Sequence, residues 1–528
     1  MQKTMIIVGA GIAGLSTGCY AQMNGYKASI FESHKIPGGL CTAWTRKGYT
    51  FDLSMHLLTG SKTGAFKKMW DELGVTQNQE FYYHDNKVVV EGNGKKLALC
   101  GDRARLEAQM LAISPDDAGL IREFIDLYCG RGLMSLLSLE SPELMGIFSK
   151  AKMTLSVIPL MGLLRKYSKV SLREFTARFK DPFLGRAIQY SVDSPGWPMP
   201  GYPMIAMAGF ARTGVTDAGY PLGGSQKIMF KLAKLYKTLG GEIRTNSRVK
   251  DVLIENDKTF GVRLEDGSVR KTNIVVWAGD GHHLIFDILG GKYMDNTISN
   301  MYDKWIPVKP MVHVMFGVDM DLSKEPSRFI FETDKPITVG NDKFRWLSLM
   351  MHCFDKSTAP AGKTALEVWY ATDYGYWENL IKDRVKYDKE KKRIAEETAD
   401  VLEKRWPGFK SKIEMTDVPT PMTYVRYTDN WQGSPDGWYI TTENLMDQRM
   451  RRTLPGLDNL YMVGQWTAPF TGTVMAALSG RQLIQILCKK DRRNFVIKTN
   501  KGKYKHNQTR EKSPENVQPA EKANIIEP

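Results

Sequence analysis

Cysteine is scarce in this chain. Six residues in 528, at positions 19, 41, 100, 129, 353 and 488, form no Cys-x-x-Cys pair and no Cys-His cluster. That excludes a disulfide framework and a thiolate metal site, and predicts reduced thiols in a reducing compartment. Long hydrophobic runs are missing as well. No stretch reaches 18 uninterrupted apolar residues, so the sequence predicts no spanning helix. The apolar run near the start is only Met5 to Val8, too short for a secretory signal. Gly-x-Ser-x-Gly, His-Glu-x-x-His and the Gly-Lys phosphate loop are all absent, which removes serine-hydrolase, zinc-protease and P-loop chemistry. No metal site is expected.

Negative charge is in shorter supply than positive, with 58 Asp and Glu against 73 Lys and Arg, a formal net charge of +15. From Lys489 onward there are eleven Lys and Arg against five Asp and Glu, so +6 of the excess sits in the last forty residues. This balance suits an anionic membrane surface. No motif supports a nucleic-acid partner. A cytoplasmic protein is expected, with peripheral contact at the inner face of the membrane as one option. The hydrophobic share of 42% and charged share of 25% are those of a globular protein with a sizeable core.

What is present begins at once. Met5–Val8 reads as a buried strand, Gly9-Ala10-Gly11-Ile12-Ala13-Gly14 as a Gly-x-Gly-x-x-Gly turn, the following residues as a helix, and Lys27–Phe31 as a second strand ending at Glu32. Each part has a physical task. Gly9 permits the tight turn, Gly11 lets backbone approach a pyrophosphate, and Gly14 lets helix and strand pack closely. The helix N-terminus, at Ile12 and Ala13, offers free N–H groups to phosphate. Glu32 accepts from ribose hydroxyls and repels a 2′-phosphate, which argues against NADP. A second glycine pair, Gly38-Gly39, follows with Leu40. An NAD domain has no need of it. An FAD enzyme does, because its loop runs beside the extended dinucleotide, and FAD is therefore the expected cofactor.

The order Gly-x-Gly-x-x-Gly, Glu32, Pro37-Gly38-Gly39 and Gly48-Tyr49-Thr50-Phe51-Asp52 resembles the FAD-dependent phytoene desaturase, carotenoid isomerase and retinol saturase family, within the flavin amine oxidase superfamily. Tyr220-Pro221-Leu222-Gly223-Gly224, Gly240-Gly241-Glu242-Ile243, Trp406-Pro407-Gly408, and Leu460–Gly464 followed by Ala468–Val474 fit the same pattern. The resemblance implies an α/β fold: a Rossmann-like FAD-binding domain (GR2 type) with an inserted α+β substrate domain. It also implies adenine contact near Val249, and flavin contact at Gly464, Gln465, Gly472, Thr473 and Val474. Two positions depart from the family. Gln465 stands where an acidic residue is usual, and Phe470 where the Pro-Gly-x-Gly motif has glycine.

The expected organisation is a discontinuous FAD-binding domain over 1–75, 219–305 and 455–490, a substrate or membrane-facing domain over 76–218 and 306–454, and a disordered basic tail over 491–528. Buried strands are expected at Met311–Val318 and Ala365–Tyr370, a charged helix at Lys382–Arg405, and a hairpin over 254–270 turning at 265–268. The apolar run 152–166, flanked by Lys150, Lys152, Arg165, Lys166 and Lys169, is too short to span. It reads as an interfacial helix or as a core helix of the substrate lobe. The proline-aromatic loop 194–203 reads as a channel wall or a rigid surface loop. His56, shortly after Asp52, is the one candidate side chain for chemistry, against a structural reading of the same residue. The resemblance implies oxidation, saturation or isomerisation of C–C bonds in a long apolar polyene, isoprenoid or fatty-acyl substrate. Two rivals share the fold: an amine oxidase, with Tyr461, Trp466 and Trp438 as aromatic cage, and a lipid-carrying escort protein that has lost its cofactor.

Overall fold

Five strands from three separate stretches of the chain make one parallel sheet. In spatial order they are Glu242–Arg244, Lys27–Phe31, Thr4–Val8, Ile274–Trp277 and Leu460–Met462. The central strand explains its own unbroken apolar run. Met5 and Ile7 enter the core beneath the first helix, while Ile6 and Val8 enter the core on the opposite face. A strand buried on both faces has no polar side to alternate with. The helices Ile12–Met23 and Thr473–Lys490 pack together over the first face, and Gly224–Thr238 joins them. The structure, a computed structural model, describes residues 2–130, 132, 138–214, 217–445, 450–467 and 472–498.

A second sheet of seven strands runs in the order Ile413–Asp417, Met311–Val318, Thr364–Ala371, Asp342–Met351, Arg328–Val339, Asn86–Gly92 and Lys95–Cys100. It is antiparallel except where Arg328–Val339 meets Asn86–Gly92. One face carries Val312, Val314, Phe316, Leu347 and Val368 against the helix Arg384–Arg405. That helix keeps most of its charged side chains in solvent, as its composition demands. On the other face, Val88, Val90, Ile330 and Trp346 meet the helices of residues 103–211.

The strand expectations at Met311–Val318 and Ala365–Tyr370 hold, the second extending to Thr364–Ala371. The hairpin is a three-stranded meander. Val249–Glu255 turns at Asn256 and Asp257 into Lys258–Leu264, which turns again at 265–268 into Val269–Lys271. The first turn escaped notice because Asn256 and Asp257 both take positive φ without a glycine.

Two expectations are corrected. The segment assigned to a disordered tail stays docked through Ile497: the Val496 N–H donates to Asn24 Oδ1 at 2.7 Å, and Phe495 packs on the first core. Residues 499–528 lie outside those described. The apolar run was also counted too short. Helical structure extends over Ile147–Tyr167, 21 residues, long and apolar enough to cross a membrane by length and composition. Counting only uninterrupted apolar residues left out Ile147 and Phe148. The core-helix reading fails with it, because Phe148 is 92% and Leu155 65% exposed.

Candidate functional site

A cleft of about 410 Å³ opens along the carboxyl ends of the parallel strands. Its first wall is backbone. Gly9 takes φ +98 and Gly39 φ +58, values that glycine adopts without strain. Gly11 caps the helix Ile12–Met23 at φ −71, which any residue adopts. A side chain there would meet nothing nearer than Gly39 Cα at 3.9 Å. The protein's own packing thus leaves room for a side chain at Gly11, and that room faces the cleft. Gly14 is the opposite case. A Cβ there would stand 2.0 Å from the Gly9 carbonyl oxygen, and Gly14 does not line the cleft. It is a packing residue rather than a cofactor contact.

Glu32 is buried at the end of its strand. One carboxylate oxygen accepts the Ala10 N–H at 2.7 Å and the other the His34 N–H at 2.9 Å. Glu32 lines the cleft. Gly9, Ile12, Ala13, Gly38, Leu40 and Val249 line the same space, as do Gly464, Gln465, Gly472, Thr473 and Val474. The helix Thr473–Lys490 points its N-terminus there, with Gly472 as cap. Ala468–Thr471, including Phe470, lies outside the described residues. The donor set is thus two helix N-termini, glycine backbone and one carboxylate, which fits a dinucleotide.

The Gly-Tyr-x-Phe-Asp and Tyr-Pro-x-Gly-Gly segments have a joint structural reason. Asp52 is buried and accepts the Ser225 hydroxyl at 2.6 Å and the Ser225 N–H at 2.5 Å. It therefore caps the helix that Gly223 and Gly224 begin. A Cβ on Gly224 would meet Asp52 Oδ2 at 2.7 Å. Tyr49 fills the space above Gly317 in the seven-stranded sheet. These motifs tie the two sheets together beside the cleft.

The facing wall is made of side chains. His56, Leu57, Trp197 and Met311 line the cleft, so the proline-aromatic loop reaches it through Trp197. The His56 ring lies 4.5 Å from that of Trp369, and its Nδ1 is buried without a partner. Behind them sits a network that sequence reasoning missed. Glu367 accepts from His313 Nδ1 at 3.0 Å, and His352 Nε2 lies 3.5 Å from its other oxygen. An ionised carboxylate only accepts, so His313 donates from Nδ1, and its Nε2 takes the Tyr424 hydroxyl proton at 2.7 Å. Burial would raise Glu367, but the two imidazoles outweigh it and hold the carboxyl well below its ordinary range. Burial brings His56 down to about 3 against the pull of Glu367, so the ring is neutral at physiological pH.

Asp280, also missed, lines the cleft at the end of the strand Ile274–Trp277. It accepts the Trp431 N–H at 2.9 Å and the His283 N–H at 2.7 Å, and burial raises it to about 7 despite both bonds. The signal for Glu367 and His313 was available: each is a polar residue inside a strand read as wholly buried. Of the expected aromatic cage, Trp438 and Trp466 meet edge to face at 5.2 Å. Tyr461 packs in the other core, where Lys490 donates to its hydroxyl. Among the described residues, no lysine lines the cleft.

Comparison with known proteins follows this geometry. Residues 7–73 match the model of the NAD(P)-binding Rossmann-like domain. The chain is 25% identical over 500 residues to the chloroplastic prolycopene isomerase of Daucus carota, covering 90% of this chain and 78% of that protein. It is 25% identical to the lycopene-forming phytoene desaturase of Pseudescherichia vulneris, covering 89% and 96%. Among solved structures, wild-type putrescine oxidase bound to putrescine aligns with a TM-score of 0.58 at 13% identity, over 93% of this chain and 99% of that one. This last likeness concerns the fold alone. The resemblance first seen in the glycine motifs therefore runs through nine-tenths of the chain.

Proposed function

We propose that this chain is an FAD-dependent oxidoreductase acting on C–C bonds of a long apolar substrate, a polyene, isoprenoid or fatty-acyl chain. The observation that carries the reading is the space kept open at Gly11 in a cleft whose opposite wall carries the side chains of His56, Leu57, Trp197 and Met311. The FAD-binding domain comprises 1–75, 219–305 and 455–490, and the substrate domain 76–218 and 306–454. Backbone at Gly11, Ile12 and Ala13 holds the pyrophosphate, Glu32 a ribose, Val249 the adenine edge, and Gln465 with the helix at Thr473 the flavin side. Gln465 bonds there without charge.

When bound, FAD supplies hydride exchange with an allylic or olefinic carbon. The chain's own contribution is to press an apolar substrate between Trp197, Met311 and His56 and to keep water out. His56, neutral, orients rather than ionises. The absence of a cleft lysine among the described residues weighs against amine oxidation, and the preserved cradle against an escort role. The exposed apolar segment 147–167, with its basic flanks, gives the protein peripheral contact with a membrane from which such a substrate is drawn.

The test is the visible spectrum of protein purified with and without detergent. Flavin bands near the usual ~450 nm, released on denaturation as FAD, are expected. A colourless protein that added FAD cannot reconstitute would overturn the reading.

A further inference from the structure

Among the described residues, two basic side chains of the substrate lobe have no acidic partner. Lys87 is 9% exposed and its side chain makes neither a hydrogen bond nor an ion pair with the described residues; its Nζ lies 2.9 Å from the centre of the Phe210 ring. The Arg328 side chain makes none with the described residues either, and its guanidinium lies 5.9 Å from the centre of the Trp369 ring. The two begin neighbouring parallel strands, paired at Val89 and Phe329. They feel each other: burial first, and then the charge of Arg328, pull Lys87 well below its usual range. The carboxylates nearby are committed elsewhere. Glu367 serves two imidazoles, while Glu91 and Glu325 both pair with Arg405. Asp85 borders the same cleft as Arg328 and forms no ion pair with either cation.

The groups around Arg328 are short of acceptors. Trp369 Nε1, which can only donate, is buried without a partner, and so is the Ser348 hydroxyl directly across the strand pair. Arg328 borders a second cleft, also of about 410 Å³, together with His84, Ser327 and Phe354. The Trp369 ring lies 4.5 Å from that of His56, which lines the cofactor cleft, and 5.9 Å from the guanidinium of Arg328, which lines the second. Arg328 thus keeps a guanidinium without a counter-ion on the wall of the second cleft, with the lowered Lys87 amine on the neighbouring strand, an arrangement that an arriving acid would satisfy.

We propose that Arg328 and Lys87 bind the carboxylate of a long-chain acid whose apolar chain passes Trp369 toward the cofactor cleft. The substrate is then an acid rather than a neutral hydrocarbon. This rests on the reading of that cleft as the place where an apolar chain meets the flavin. An acceptor-only, planar, singly charged head group satisfies the guanidinium fork, the ammonium and the indole N–H together.

The experiment uses the flavin-loaded full chain and the fluorescent tetraene cis-parinaric acid beside its methyl ester. The acid is expected to bind at least about tenfold more tightly than the ester. Arg328→Gln should abolish that preference while leaving ester binding within about twofold, and Lys87→Met should reduce it. Arg328→Gln should not melt below the parent without ligand, because it removes an uncompensated charge. Equal affinity for acid and ester, or a preference untouched by Arg328→Gln, overturns the proposal. If dodecyl phosphate displaces the probe better than lauric acid does, the head group is a phosphate and the carboxylate assignment falls. Flavin content is read in the same samples. Flavin-free protein that still prefers the acid sinks the redox reading and keeps this site; flavin-loaded protein without the preference does the reverse.

Discussion

The two walls of the cleft are built in opposite ways. The wall from Gly9 to Leu40 is continuous in sequence, and its working parts are backbone N–H groups and absent side chains. The facing wall presents His56, Leu57, Trp197 and Met311, and behind it His313, Arg328, His352, Glu367 and Tyr424 gather from distant places. They meet only because the sheet sets His313 across from Trp369 and Glu367 across from Met350. A site made of backbone demands glycine at fixed spacing and is written locally. A site made of side chains depends on strand register, which no short window records.

The sharpest way to test this division is within the first wall itself. Gly14→Ala would place a methyl 2.0 Å from a carbonyl oxygen that cannot move. It should cost at least about 3 kcal/mol and lower the melting temperature steeply. Gly11→Ala meets no protein atom within 3.9 Å, so its stability should stay within about 1 kcal/mol while flavin retention falls at least about tenfold. Thermal melts and flavin absorbance on both variants decide it. Equal loss of stability would mean that Gly11 is a packing residue too, and the cradle would lose its meaning.

The second wall should break differently. Glu367→Ala strands two imidazole donors in a buried site and should cost about 3 kcal/mol in urea unfolding at neutral pH. Its sign with pH is fixed by the lowered carboxyl. The stabilisation is fully present above the unfolded pKa of about 4.3 and is lost as pH falls through the folded value. Asp280 runs the other way. Its folded pKa, raised to about 7, keeps it protonated in the fold. Its contribution is therefore fullest below the unfolded value of about 3.9 and is lost as pH rises to the folded one. Asp280→Asn should match the parent at pH 4 and exceed it at pH 8 by about 2 kcal/mol, half the full linkage, because the carboxyl borders a cleft. Parallel stability curves for the two proteins would contradict the raised carboxyl.

The unevenness of what the sequence disclosed follows from the same contrast. Strand, turn, helix and Glu32 were legible because hydrophobic period and glycine spacing act within 30 residues or so. Asp52 was legible as part of a motif but not as the cap of a helix 173 residues away. Gly14 shares its motif with glycines of another kind, and the packing task that its place in the motif assigns is what the contact with the Gly9 carbonyl shows. Glu367 and His313 were hidden inside Ala-Leu-Glu-Val-Trp-Tyr and Met-Val-His-Val-Met-Phe, where eight consecutive buried positions drowned the polar exceptions. Those exceptions are the information: a carboxylate in a strand with no solvent face needs a partner on another strand.

The segment 147–167 sits between the two cases, contiguous like the first wall yet decided by its surroundings like the second. Its composition allowed both a core helix and a surface one, and only the exposure of Ile147, Phe148, Leu155 and Ile158 separates them. Because these side chains touch little of the fold, replacing them should hardly register in its stability. Leu155→Glu combined with Ile158→Glu should change unfolding by no more than about 0.5 kcal/mol. If the exposed apolar face seats in lipid, with Lys150, Lys152, Arg165 and Lys166 on anionic head groups, the same pair should abolish sedimentation with phosphatidylglycerol vesicles. Raised salt should weaken the parent's binding in part, since its basic flanks are screened while its apolar contact is not. A double variant that loses several kcal/mol (~3 or more) would instead show the face packed against protein, and would return this helix to the core from which its exposure removed it.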